Sequence, residues 1–199
     1  MDLDYIMKTR KMTRRFKDTP LEDSVIEELL KSVRFSPSAG HAQGFRFLVL
    51  TDFFARIKFF EITCDKEWLN TDKAKQLIKA PVIIIPFALK RSYIDRYNQQ
   101  DKLNSHMNRN FMESQSTPFW ITDLAFAVML LLLKAQDLSL GALFFAIHNN
   151  EHDLKEQFGI PSDADLIGTL AVGYKNETQY RKPRKSLGIN DLIKFNTWK

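Results

Sequence analysis

Thr9-Arg10-Lys11-Met12-Thr13-Arg14-Arg15-Phe16 and, about one helix later, Ser36-Pro37-Ser38-Ala39-Gly40-His41-Ala42-Gln43-Gly44-Phe45-Arg46-Phe47 decide how this chain is read. The first stretch is a dense run of cations closed by an aromatic side chain. The second is a loop of small residues that runs straight into a strand. Guanidinium groups stay charged and match phosphate oxygens two at a time. Small residues let backbone N–H and C=O groups come close to a flat ring. Joined by one helix, the two stretches suit a ligand with a phosphate and an aromatic system. A third basic run, Arg181-Lys182-Pro183-Arg184-Lys185, lies near the other end of the chain.

The charge distribution supports a small anion over a nucleic acid. The formal charge is +5. Residues 8–17 carry Lys8, Arg10, Lys11, Arg14, Arg15 and Lys17 with no acidic side chain, and residues 181–185 carry four more cations. Those ten are part of 29 basic residues, and the remaining 19 face 24 acidic ones. Positive charge is therefore focused in two short runs, whereas a nucleic-acid track is broader. No nucleic acid is expected as a partner.

At 199 residues the chain is long enough for one domain with a sizeable core and short for two. A single domain spanning 1–199 is expected. A single cysteine, Cys64, excludes an internal disulfide and a cysteine zinc cluster, and it fits a reducing compartment. The longest apolar stretch, residues 124–133, is shorter than the roughly 18–20 residues of a membrane span. No secretory leader pattern opens the chain. A cytoplasmic location without a membrane partner is the expectation.

Periodicity and punctuation sketch the elements. Residues 2–10 read as a short helix. Thr19, Pro20 and Glu22 read as a capped helix start, with Leu21, Val25, Ile26, Leu29, Leu30 and Val33 on one face. Residues 45–50 read as a strand, 53–62 and 71–79 as helices, and 81–89 as an apolar strand in which Pro86 predicts a bulge or an edge. A short helix is expected at 92–99. Residues 100–118 form a patternless stretch of the kind that is functional or mobile. Residues 121–136 read as a buried central helix, 141–147 as a strand, 150–158 as a helix stopped by Gly159, 166–174 as a strand and 187–195 as a terminal helix.

The blocks and their order resemble the FMN-dependent nitroreductase family, from roughly Tyr5 to Leu187. Members open with a helix ending in Arg-Arg-Ser-x-Arg-x-Phe, then present a loop like Pro-Ser-x-x-Asn-x-Gln-Pro-Trp-x-Phe. Here Lys11 stands for the second Arg, Met12 for Ser, His41 for Asn, and Gly44-Phe45 for Pro-Trp. The resemblance implies an α+β fold, a central mixed sheet flanked by helices, and a homodimer with FMN at the interface. It places Arg10, Lys11, Met12 and Arg14 on the FMN phosphate and ribityl chain, with Arg184 and then Lys182 as the late phosphate ligands. It lays Pro37, Ser38, Ala39, Gly40 and Gln43 along the flavin edge and sets Leu143 and Phe144, with Phe145 after them, behind the ring. Phe119 and Trp120 would line the pocket for a flat acceptor.

The implied reaction is ping-pong: NADH or NADPH delivers electrons to the flavin and leaves, and a nitroaromatic, quinone or related small acceptor takes them. No side chain is needed as an acid or base, and no residue is assigned a catalytic role of its own. Relatives of this kind also include flavin-fragmenting synthases, dehalogenases and ene-reductases, and a flavin-binding sensor or carrier without turnover is a further alternative. There is no Gly-x-Gly-x-x-Gly, Walker or Gly-x-Ser-x-Gly signal. His148 and His152 share i,i+4 spacing but lack a third ligand nearby, so no metal is expected.

Overall fold

Val82-Ile83-Ile84-Ile85 has no polar side chain, and the structure sets it in the middle of a sheet, covered on both faces. The computed structural model describes residues 2–103, 117–176 and 186–198. Among these, the strands are β1 (Phe45–Leu50), β2 (Val82–Ala88), β3 (Gly141–Phe145), β4 (Asp165–Leu166) and β5 (Thr169–Gly173). Their order is β1-β2-β5-β3, with β4 also paired to β2. The four strand pairings are antiparallel. The parallel component is one bridge between Met12 and Ala142.

Helices cover both faces. They are α1 (Leu3–Thr9), α2 (Asp23–Lys31), α3 (Phe53–Thr63), α4 (Lys66–Leu69), α5 (Asp72–Leu77), α6 (Lys90–Tyr97), α7 (Gln100–Leu103), α8 (Phe119–Asp137), α9 (Glu151–Phe158) and α10 (Ile189–Leu192). Alternation along each strand divides the core. Ile83, Ile85, Leu143 and Ala171 pack with Phe59, Phe60, Leu77 and Leu154 of α3, α5 and α9. Val82, Ile84, Ala142 and Leu170 pack with Leu29 of α2 and with Val128, Leu131 and Ala135 of α8. Each fully buried leucine of this kind contributes about 1.5–3 kcal/mol of transfer free energy.

Pro86 lies in β2, an interior strand, and the expected bulge lies across from it. Ile84 pairs with Leu170 and Phe87 with Leu166, so three residues of the partner oppose two of β2. The extra residue relieves the ladder where proline has no N–H to give. Gly168, at φ +139°, lies within this insertion.

The start of α2 differs from its expectation. It begins at Asp23 with Glu22 as the cap residue, whose carbonyl accepts from the N–H groups of Val25 and Ile26. Leu21, just before the cap, is buried in the same cluster as Ile26. That apolar clasp across the first turn fixes the entry more strongly than Thr19 and Pro20, which remain exposed. The apolar residues of α8 make it long enough to cross a membrane by length and composition. It packs instead on β1, β2 and β3 with α1 and α2 alongside. The expected terminal helix contracts to α10.

Candidate functional site

The cationic run after α1 is laid along the sheet by main-chain bonds. Thr13 N donates to Ala142 O at 2.9 Å, Lys17 N to Tyr174 O at 2.9 Å, and Asn176 N to Arg15 O at 2.9 Å. Phe16 and Thr13 turn inward and are buried, while Arg14 stays exposed. Gly141 makes the close approach possible: a Cβ there would stand 2.6 Å from Thr13 Cγ2. The run thus reaches a cavity of about 730 Å³ bounded by Arg14, Arg15, Lys73, Leu143, Phe145 and Trp68, with Cys64 and His148 also on its wall.

Three cations beside an apolar wall suit an amphipathic anion. Arg10 adds a more specific signal. Its Nη1 is buried and has no hydrogen-bond partner among the described residues. A buried donor left unpaired costs about 1–3 kcal/mol, more when charged, and an oxyanion would remove that cost. Lys11 is exposed. Met12 is half-buried against both core clusters, and its carbonyl accepts from Arg14 Nη1 at 3.1 Å. Burial pushes the Cys64 thiol up from its ordinary value; the bond to Thr63 opposes this and the charge of Asp65 adds to it.

Pro37, Ser38, Ala39, Gly40 and Gln43 do not line this cavity. Their loop adjoins β1 at one end of the strand order, while the cavity follows β3 at the other. The loop is held by its own set of bonds. Ala39 N donates to Asp123 Oδ2 at 2.8 Å, Gln43 N to Ser38 Oγ at 2.8 Å, and Arg96 Nε to Gly40 O at 2.7 Å. Gly40, His41 and Gln43 take φ of +59°, +57° and +47°. Phe119 and Trp120 pack near Ala39 and Ala42 around Tyr93 and Tyr97. Trp120 Nε1 donates to Asp165 at 2.6 Å, and Lys90 Nζ stands 5.2 Å from the Trp120 ring.

The structure gathers sequence-derived residues in two groups: Arg14 and Leu143 meet at the cavity, and Pro37 to Gln43 meet Phe119 and Trp120 elsewhere. Arg10, Lys11 and Met12 precede Arg14 on the same run but are not on the cavity wall. Phe144 turns to the opposite face of the sheet from Leu143, and Phe145 takes the cavity side. Lys182 and Arg184 lie outside the described residues. Sequence reading gave no role to Arg15, Lys73 or Trp68. Arg15 sits inside the cationic run. Lys73 follows Thr71, whose hydroxyl accepts from Ala74 N and so fixes the first turn of α5.

The model of the nitroreductase family matches residues 7–174. The chain belongs to the nitroreductase family. It is 24% identical over 172 residues to a protein of Archaeoglobus fulgidus provisionally named an NADH dehydrogenase/NAD(P)H nitroreductase, covering 85% of this chain and 83% of that one. It is 25% identical over 214 aligned positions to the iodotyrosine deiodinase of Thermotoga neapolitana, covering 97% of each. The solved structure of an FMN-dependent nitroreductase of Clostridium difficile superposes with a TM-score of 0.70 at 20% identity, covering 97% of this chain and 98% of that one.

Proposed function

We propose that this nitroreductase-family chain is an FMN-dependent oxidoreductase that works as a homodimer. It takes electrons from NADH or NADPH and passes them to a nitroaromatic, quinone or related small acceptor. The observation that carries the reading is the unpartnered, buried Nη1 of Arg10 on a cationic run that borders an apolar cavity. The buried, unpaired Arg10 Nη1 fits an oxyanion of the group. In this reading Arg10, Lys11 and Arg14 hold the phosphate, Met12 contributes main chain, and Lys182 and Arg184, which lie outside the described residues, are proposed as its late ligands. Arg15 and Lys73 add charge at the cavity. Leu143 backs the ring, with Phe145 beside it. FMN, when bound, supplies the two-electron chemistry; the protein supplies position and field.

Two copies make sense of the two groups of residues. The loop of Pro37, Ser38, Ala39, Gly40 and Gln43 cannot edge a ring in its own chain's cavity, so a second copy supplies it, with Phe119 and Trp120 toward the acceptor. Helix α8 supports this arrangement, because Phe126 and Met129 on it are 48% and 42% exposed.

The test is a visible spectrum of protein loaded with FMN and freed of excess, followed by anaerobic NADH or NADPH. Retained flavin bands that bleach support the reading; a protein that retains no flavin overturns it. A second reading, a dehalogenase, is favoured by the iodotyrosine deiodinase relative that aligns over 97% of the chain. It predicts halide release from a haloaromatic substrate under reducing conditions, and no release removes it.

A further inference from the structure

Asp123 lies on α8, near its start, and is 4% exposed. Its Oδ2 accepts from Tyr93 Oη at 2.7 Å and from Ala39 N at 2.8 Å. No cation pairs with it among the described residues. A buried carboxylate without an ion-pair partner is costly, so its hydrogen bonds must compensate. Tyr93 is buried as well, 1% exposed, and its ring packs beside Ala39 and Ala42 of the loop while its hydroxyl anchors the carboxylate. Ser36 Oγ reaches the main-chain oxygen of Asp123 at 3.4 Å.

The loop that Asp123 grips is strained. His41 and Gln43 are non-glycine residues in the left-handed region, a sparsely populated backbone conformation. Such a shape persists only where surroundings over-determine it. Asp123 holds it from α8, Arg96 holds Gly40 O from α6, and the Tyr97 ring lies where a Gly40 Cβ would be 2.9 Å away. Ala39 N–H and Gly40 C=O are thus already committed to protein partners. A ring laid on this loop meets a fixed surface whose remaining groups alone are free to read it.

We infer that Asp123, anchored by Tyr93, is the positioning residue that presets the ring-contacting shape of the loop at residues 36–43; this rests on the flavin reading above. Asp123 touches neither flavin nor acceptor. It acts through Ala39.

The test uses full-length protein loaded with FMN and three variants, Asp123→Ala, Asp123→Asn and Tyr93→Phe. Each is measured for FMN affinity, for the absorption bands of bound flavin, and for the melting temperature of the flavin-free protein. Asp123→Ala is expected to weaken FMN about tenfold or more and to move the bound-flavin bands toward those of free FMN. Asp123→Asn keeps an acceptor oxygen and is expected to stay within about threefold of wild type. Tyr93→Phe removes one hydroxyl with little change in core volume and is expected to fall between them. Wild-type affinity and bands in all three, with only the melting temperature lowered, would reduce Asp123 to a packing role and overturn the inference. Should Asp123→Ala fail to fold, unchanged flavin bands in Tyr93→Phe overturn it equally. A wild type that retains no FMN would sink the flavin reading and this inference together, an outcome distinct from flavin-binding variants that match wild type.

Discussion

Arg10 separates binding from folding. Its unpartnered Nη1 gains nothing in the ligand-free protein and gains a charge-assisted bond when an oxyanion arrives. Arg10→Ala is therefore expected to weaken FMN by about 1.5–3 kcal/mol, roughly 10- to 150-fold, with no loss of melting temperature in flavin-free protein. Equilibrium binding and thermal melts check both parts; equal flavin occupancy in the variant would remove Arg10 from the phosphate site. Cys64 reports on the same cavity. Burial favours its neutral thiol, so alkylation by iodoacetamide should set in at a higher pH than for a free cysteine. Bound FMN should slow that alkylation, because Cys64 lies on the cavity wall. Labelling at equal rates with and without flavin would place the ligand elsewhere. The run from Arg10 to Phe16 was legible as a cationic run because charge is visible in residue letters. Lys73 was not, because a lone lysine on a polar helix looks the same whether it faces solvent or a cavity.

At the scale of elements, the site depends on how closely the cationic run lies against β3. Gly141 is the contact that permits it. Gly141→Val should drive Thr13 off the strand and cost about 1–3 kcal/mol of stability through overpacking. FMN affinity should fall with it, since Arg14 and Arg15 ride on the displaced segment. Retained flavin affinity in a folded Gly141→Val protein would show that the run is free to bind without this seat. Strands were readable where apolar runs were continuous, as in β2, and Pro86 foretold a bulge. Local signals misplaced the start of α2: Thr19 and Pro20 make a plausible cap, but Leu21 and Ile26 settle the boundary through burial that only packing reveals. For Phe144 and Phe145, the composition of β3 gave no hint of which faces the cavity. Period-two alternation set by pairing with β5 decides it.

At the scale of the whole molecule, α8 is the element on which the proposed assembly turns. It buries Leu124, Val128 and Leu131 within its own chain and leaves Phe126 and Met129 exposed. Placing a charge there, as in Phe126→Glu, should convert a dimer to a monomer and release FMN in the same step, because each site would lose the loop of the other copy. Sedimentation with flavin absorbance reads both quantities, and a monomeric wild type that holds FMN would sink the two-copy site. Resemblance of its motifs to a family carried the α+β class. By itself the sequence determined the apolar central strand and the helical face of residues 21–33, and it set up the expectation of a phosphate-and-ring ligand on two short stretches. These follow from periodicity, charge and small-residue content, which are local properties of the chain. Only the tertiary structure decided that those two stretches lie at opposite ends of the strand order, and that Asp123, 84 positions from Ala39, closes the loop. Strand order and long-range hydrogen bonds depend on which surfaces find each other in space, and no window of sequence contains that information.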